Sequence, residues 1–283
     1  MSDRLQQYQD FLRAKFQLAE DYGIQVDHDA TNPVLKPFTR DIARWAVRGG
    51  RRAIFAAFGL HKTATQLEIM RLIGERSDGL RLIVLPLGVR QEFLRDAVNL
   101  FEGHYSVRTK FVRRIEEVDD ERTIYLSNYE SVRDGILDVA GVHAVSLDEA
   151  SVLRGRGNKT FGEFTFELFR KSRFRFVATA TPSPNEYQEL LSYAAFLDVC
   201  DISQARTRFF KRNSEKADNL TIHPHKEREF WLWLSSWAIF LQKPSDLGYS
   251  DEGYELPEME VHWHELPTDH SNAGADRNAA GNG

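Results

Sequence analysis

The chain has 283 residues, 42% hydrophobic and 28% charged, with a formal net charge of −5. These proportions exclude fibrous and low-complexity classes and suit one large globular domain or two small ones. No apolar run approaches the ~20 residues of a membrane span, and the first residues lack a signal-peptide pattern. A single cysteine, Cys200, cannot close a disulfide within the chain, so a reducing cytoplasm and no membrane are expected.

Taken in order, residues 3–22 read as a helix, with Leu5, Tyr8, Leu12, Phe16 and Ala19 recurring three or four apart. A polar loop over 27–33 leads to a helix that Pro37 opens and Gly49-Gly50 ends. An apolar strand over 53–56 runs into a loop over 57–61, and Lys62-Thr63 opens the next helix. Short apolar runs then alternate with helical stretches: strands over 80–87, 107–112, 123–127, 139–147 and 174–178, and helices over 88–101 and 185–197. Such alternation of buried strands and helices predicts an α/β fold with a mainly parallel sheet. Beyond it, 201–219 reads as a basic loop, 226–241 as a tryptophan-rich helix, 243–257 as a turn-rich linker and 261–266 as a strand. The Ala/Gly/Asn-rich tail from 271 is expected to be disordered. This predicts a lead-in over 1–34, an α/β domain over 35–200, a basic helical extension over 201–256, and a linker strand with tail over 257–283.

The sequence Gly59-Leu60-His61-Lys62-Thr63 has the layout of a phosphate-binding loop: strand, glycine-bearing turn, then Lys-Thr at a helix start. The first helical turn has unpaired N–H groups and the positive end of the dipole, so it attracts phosphate. A lysine there reaches the outer phosphates, and a threonine hydroxyl can hold Mg²⁺. Asp148-Glu149 follows another apolar run; an aspartate there suits Mg²⁺, and the adjacent glutamate can polarise water. Thr179 and Thr181 end a further strand, within hydrogen-bonding reach of such carboxylates if the strand ends meet. In parallel α/β sheets, ligands bind at the carboxyl ends of the strands, where all of these residues fall. No set of cysteines and histidines has zinc-site spacing. The basic stretches 40–52, 108–114, 154–175 and 206–212 suit contacts to a DNA or RNA backbone, although each alone reads more readily as solvated surface. Trp231, Trp233 and Trp237 suit base stacking or, more simply, a core.

In order, Leu35-Lys36-Pro37-Phe38-Thr39, Gly59-Leu60-His61-Lys62-Thr63, Leu85-Pro86-Leu87, Ser127-Asn128-Tyr129-Glu130, Asp148-Glu149-Ala150-Ser151 and Thr179-Ala180-Thr181-Pro182 resemble the first RecA-like domain of superfamily 2 DEAD/DEAH-box helicases and Swi/Snf-type DNA translocases. The resemblance looks closest to a phage or prophage type, and covers about residues 35 to 270. It implies a three-layer αβα RecA-like P-loop domain with a helical C-terminal extension, and an ATPase that couples ATP, with Mg²⁺, to nucleic acid. Residue by residue, it implies that Phe38 and Arg40 recognise adenine, that Gly59, Leu60, His61, Lys62 and Thr63 cradle the phosphates, and that Thr63 and Asp148 hold Mg²⁺. Lys62, Asp148 and Glu149 would be catalytic, Thr179 and Thr181 would couple ATP to nucleic acid, and Pro86, Leu87, Asn128 and Tyr129 would line the nucleic-acid track. Two positions depart from the family: Thr39 stands where glutamine is usual, and His61 where glycine is usual. A side chain at 61 is expected to crowd the phosphates, so the alternative is an impaired pseudo-ATPase acting as a nucleic-acid-binding or interaction module. The arginines of a second RecA-like domain are expected on a separate chain, with weak activity without them.

Overall fold

The computed structural model describes residues 18–101, 103, 105, 107–153, 162–183, 187–212, 220–255 and 260–264. The chain forms two units, Met1–Asp251 and Glu252–Gly283. All helices and strands among the described residues belong to the first. None of those helices is long and apolar enough to cross a membrane.

The first unit is built on strands β1 (Arg51–Ala56), β2 (Leu80–Leu85), β3 (Thr109–Phe111), β4 (Ile124–Asn128), β5 (Val142–Asp148), β6 (Phe174–Thr179), β7 (Phe210–Arg212), β8 (Leu220–Ile222) and β9 (Ala238–Leu241). Seven of them form one sheet in the order β3-β4-β2-β5-β6-β1-β9, and every pairing within it is parallel. Strands β7 and β8 pair antiparallel as a separate ribbon. The helices are α1 (Pro37–Gly49), α2 (Lys62–Gly74), α3 (Arg90–Phe101), α4 (Tyr129–Arg133), α5 (Leu190–Leu197), α6 (Ile202–Phe209) and α7 (Glu227–Ser235). Together they make the three-layer α/β arrangement that the alternation of strands and helices predicts.

Each element has a local cause. Proline opens α1, and Gly50, at φ 72°, closes it in the left-handed conformation that glycine adopts without penalty. Phe38, Ile42, Ala46 and Val47 place one face of α1 in the core. Helix α2 is buried from Thr63 to Ile73 because neighbours cover it on several sides. Alternate residues of the strands face opposite layers. Ala53 and Phe55 of β1 join one cluster with Tyr193 of α5, Trp233 of α7 and Trp237.

Several expected elements differ. The expected helix over 3–22 lies outside the described residues as far as 17, and 18–22 are not helical. The expected basic loop over 201–219 contains α6 and β7. Asp201 caps α6 by accepting from the Gln204 N–H at 3.0 Å, while Ala205 and Phe209, one turn apart, enter the core. The expected tryptophan helix stops at Ser235, and its remainder, Ala238–Leu241, becomes β9 at the edge of the main sheet. Trp233 and Trp237 are buried there, which leaves Trp231, 37% exposed, as the only one of the three at the surface. Of the strand expected over 261–266, residues 261–264 are not in a strand and 265–266 lie outside the described residues. The tail expected from 271 and residues 154–161 of a basic stretch lie outside the described residues.

Trp237 packs edge-on against Phe55 at 6.5 Å and against Trp233 at 5.3 Å. Trp237→Ala is expected to destabilise the fold by about 3–5 kcal/mol, and Trp231→Ala by about 0.5 kcal/mol or less. Denaturant midpoints of the two variants measure this difference, and equal midpoints would refute the core assignment.

Candidate nucleotide site

Register brings the strand ends together. Phe55 pairs with Thr179, Asp148 with Ala178, Val84 with Leu147 and Leu85 with Asn128. The carboxyl ends of β1, β2, β4, β5 and β6 therefore share one edge of the sheet. Lys62, Asp148, Glu149 and Thr179 sit on it or in the turns just past it.

The loop between β1 and α2 turns at Gly59 (φ 79°) and again at His61 (φ 53°), the residue before the first turn of α2. His61 thus adopts the left-handed conformation that glycine takes freely, at a cost of about 1–2 kcal/mol for a side-chain-bearing residue; histidine is among the residues found there more often than most. Its carbonyl accepts from both the N–H and the hydroxyl of Thr65, each at 2.9 Å. These bonds hold the loop in place despite the cost.

The Lys62 ammonium donates to the carbonyls of Ala56 and Ala57, at 2.9 and 3.0 Å, just past the end of β1. Burial lowers its pKa, opposed by the charges of Asp148, Glu149 and Glu92. The Thr63 hydroxyl donates to Glu92 Oε1 at 3.2 Å.

Asp148 is held by Gln66, whose amide donates to Oδ1 at 2.8 Å. The other end of that amide accepts from the Ser146 hydroxyl at 2.7 Å. Burial, and after it the neighbouring Glu149 charge, push the Asp148 carboxyl up to about 6, against the Gln66 hydrogen bond and Lys62. Glu149 has φ 48°, and its Oε1 accepts from the Thr179 hydroxyl at 2.8 Å. Strain of this kind persists where the surroundings over-determine it.

Not every expected residue reaches this centre. The Thr181 N–H donates to Thr179 Oγ1 at 3.1 Å, while the Thr181 side chain lies on the surface. The Tyr129 hydroxyl donates to the Asp148 carbonyl at 2.7 Å, so its ring is committed inward. Asn128 bonds Glu130 and Ser131 of its own turn, each at 2.7 Å. Of the expected nucleic-acid track, Leu87 is the most open, at 47% exposed. Phe38 is buried beneath the rings of His61 and Tyr249, and Arg40 is tied to Thr31. Gln66 and Glu92 are site residues that the motifs do not mark. Gln66 had one legible signal, a polar side chain one turn after Lys62-Thr63 on a helix with little polar face. Glu92 had none.

No protein-family model matches the chain, and no curated protein matches it. Among solved structures, the fold is similar to the SWI2/SNF2 ATPase core of Sulfolobus solfataricus in complex with dsDNA, with TM-score 0.61 and 21% identity over 83% of this chain and 48% of that one. It is also similar to the SWI2/SNF2 ATPase core domain of the same organism, with TM-score 0.54 and 18% identity over 79% of this chain and 48% of that one. The chain spans about half the length of these structures, and shares with them the RecA-like α/β fold.

A carboxyl whose pKa is raised on folding weakens the fold as it ionises. For Asp148 that penalty is absent below about pH 4, grows as pH rises, and is complete above about pH 6. Asp148→Asn keeps the acceptor for Gln66 and removes the charge. It is expected to stabilise the free protein by of order 3 kcal/mol at pH 7 and by little at pH 4. Thermal melts of both proteins across this range check the sign, and a gain that is equal at both pH values would refute it.

Proposed function

We propose that this chain is the ATP-binding domain of a DNA-dependent ATPase of the helicase and translocase type, acting in the cytoplasm. The observation that carries the reading is the meeting of Lys62, Thr63, Asp148, Glu149 and Thr179 at one sheet edge. The similarity of the fold to a SWI2/SNF2 core in complex with dsDNA supports DNA as the partner.

The residues fit a nucleotide with Mg²⁺. Thr63 and Asp148 offer the hard oxygen donors that this ion prefers, and Lys62 supplies a cation beside them. When bound, the ion neutralises charge on the phosphate oxygens. Lys62 is held at the start of α2 by the Ala56 and Ala57 carbonyls, and would pair with the outer phosphates once it leaves them. Asp148 must be ionised to serve the cation, and Gln66 keeps its Oδ1 oriented. Glu149 orients water and accepts its proton. Its bond to Thr179 ties that carboxylate to the end of β6, through which the state of the nucleotide passes to the segment 179–182. Thr63 would give up its bond to Glu92 to hold the cation. The exposed Leu87 turn, next to Pro86 and just before α3, is the track side of the domain. A second RecA-like domain, on this or a separate chain, supplies the arginines that stabilise transferred charge, a contribution of about 10³-fold or more in rate.

Lys62→Ala is expected to lower Mg-ATP affinity about tenfold or more while leaving the melting temperature nearly unchanged. Titration calorimetry measures the affinity, and phosphate release with and without duplex DNA measures the coupling. Unchanged ATP binding in Lys62→Ala would refute the site. Failure of labelled duplex to bind at low salt would refute the partner.

A further inference from the structure

The groups that the resemblance assigns to adenine are turned away from any ligand. Phe38 is 2% exposed and Thr39 is fully buried. The Arg40 guanidinium donates to Thr31 Oγ1 at 2.7 Å and to the His28 carbonyl at 3.3 Å. The Phe38 ring and the Thr39 side chain are closed off from solvent, and two of the three Arg40 guanidinium nitrogens are engaged. What lies over Phe38 is a pair of rings. The His61 ring centroid is 6.0 Å from that of Phe38, and the Tyr249 centroid is 6.3 Å from it. His61 is exposed and Tyr249 partly so.

The His61 backbone is fixed by the left-handed turn before α2 and by the bonds from Thr65 to its carbonyl. Tyr249 donates its hydroxyl to Asp41 Oδ2, which occupies its polar end and leaves the ring for packing. Tyr249 also lines a cleft of about 540 Å³ with Asp41, Trp45, Phe240 and Leu247, so its ring is reached from solvent. His61 directly precedes Lys62, so a group bound on its ring is a short step from the ammonium.

We propose that His61 and Tyr249 form the nucleobase platform of this site, and that the chain accepts nucleoside triphosphates with little discrimination among bases. This rests on the nucleotide reading above. Stacking recognises the π-face that every base has, whereas strong selection among bases needs buried donors and acceptors that the wrong base leaves unpaired. Thr39 is buried, Arg40 is engaged, and the Tyr249 hydroxyl is taken by Asp41. The histidine that stands in place of glycine is thereby a contact residue for the ligand.

Titration calorimetry of the full chain with Mg²⁺ and ATP, GTP or inorganic tripolyphosphate tests this. ATP and GTP are expected to bind within about threefold of each other, and tripolyphosphate about tenfold more weakly than ATP. His61→Gly and Tyr249→Ala should each bring the ATP-to-tripolyphosphate affinity ratio toward one, while Tyr249→Phe should preserve it. Tripolyphosphate binding by the variants also reports that they are folded. Three results would overturn the platform and leave the nucleotide reading standing: equal affinity of wild type for ATP and tripolyphosphate, preference for ATP over GTP by about a hundredfold or more, or tighter binding of both ligands in equal measure by His61→Gly. Failure of wild type to bind any of the ligands would overturn the nucleotide reading, and the platform with it.

Discussion

The site depends on one buried amide. Gln66 of α2 donates to Asp148 and accepts from Ser146, both on β5. The helix that begins with Lys62 is thereby fastened to the strand that ends in the carboxylate. Both bonds lie in the interior, where an unpaired polar group costs more than a hydrogen bond gains. Sliding α2 by one residue along β5 would leave three buried polar groups without partners. The spacing between lysine and aspartate is therefore set by the scaffold before any ligand arrives, the preorganisation that a charge-stabilising site requires.

Buried charge is used differently elsewhere in the fold. Arg81 donates to the carbonyls of Met70 and Glu121, at 3.1 and 2.8 Å. Arg175 donates to those of Phe196 and Ser172, at 3.0 and 3.2 Å, and burial lowers its pKa to about 10. Arg71 pairs with Glu68 at 2.7 Å, and Glu68 in turn accepts from the Asn32 N–H at 2.8 Å. These side chains satisfy backbone groups where helices and strands end, and tie the segment 28–32 to α2. Breaking any such buried network is expensive even where forming it adds little net stability. Of the arginines in the basic stretches, Arg52 and Arg175 are buried, and the surface left to meet a phosphate backbone is smaller by those two charges.

Parts of this architecture were legible in the sequence for definite physical reasons. Apolar runs of strand length flanked by helical periodicity located the six strands from 51 to 179, because a parallel sheet buries both faces and leaves continuous runs. The motif residues fell at strand ends because ligands bind there in such sheets. What escaped were elements whose signal is tertiary. Strand β9 reads as the continuation of an apolar helix until the open edge of β1 is available to pair with it. Helix α6 reads as a basic loop because Arg206 and Arg208 lie in its last turn, where they complement the helix dipole. Tyr129 reads as a surface contact, and only the fold shows its hydroxyl on the Asp148 carbonyl.

His61 shows how far a motif's chemistry can be inferred from a departure. Glycine before the lysine suits a left-handed turn, and the sequence therefore suggests a clash or a lost turn. The turn is kept, at φ 53°, with Thr65 bonding the carbonyl. Histidine thus pays a conformational cost at every moment the loop is formed, whether or not a ligand is bound. Glu149, at φ 48°, does the same at the opposite side of the site, and there the strained residue aims a carboxylate at Thr179. The described residues have three such non-glycine positions, and two flank this centre. If that cost brought nothing at His61, glycine would serve the turn better, and the ring over Phe38 would be idle. The platform proposed for the exposed His61 ring, packed beside Phe38 and next to the lysine, would give the cost a function.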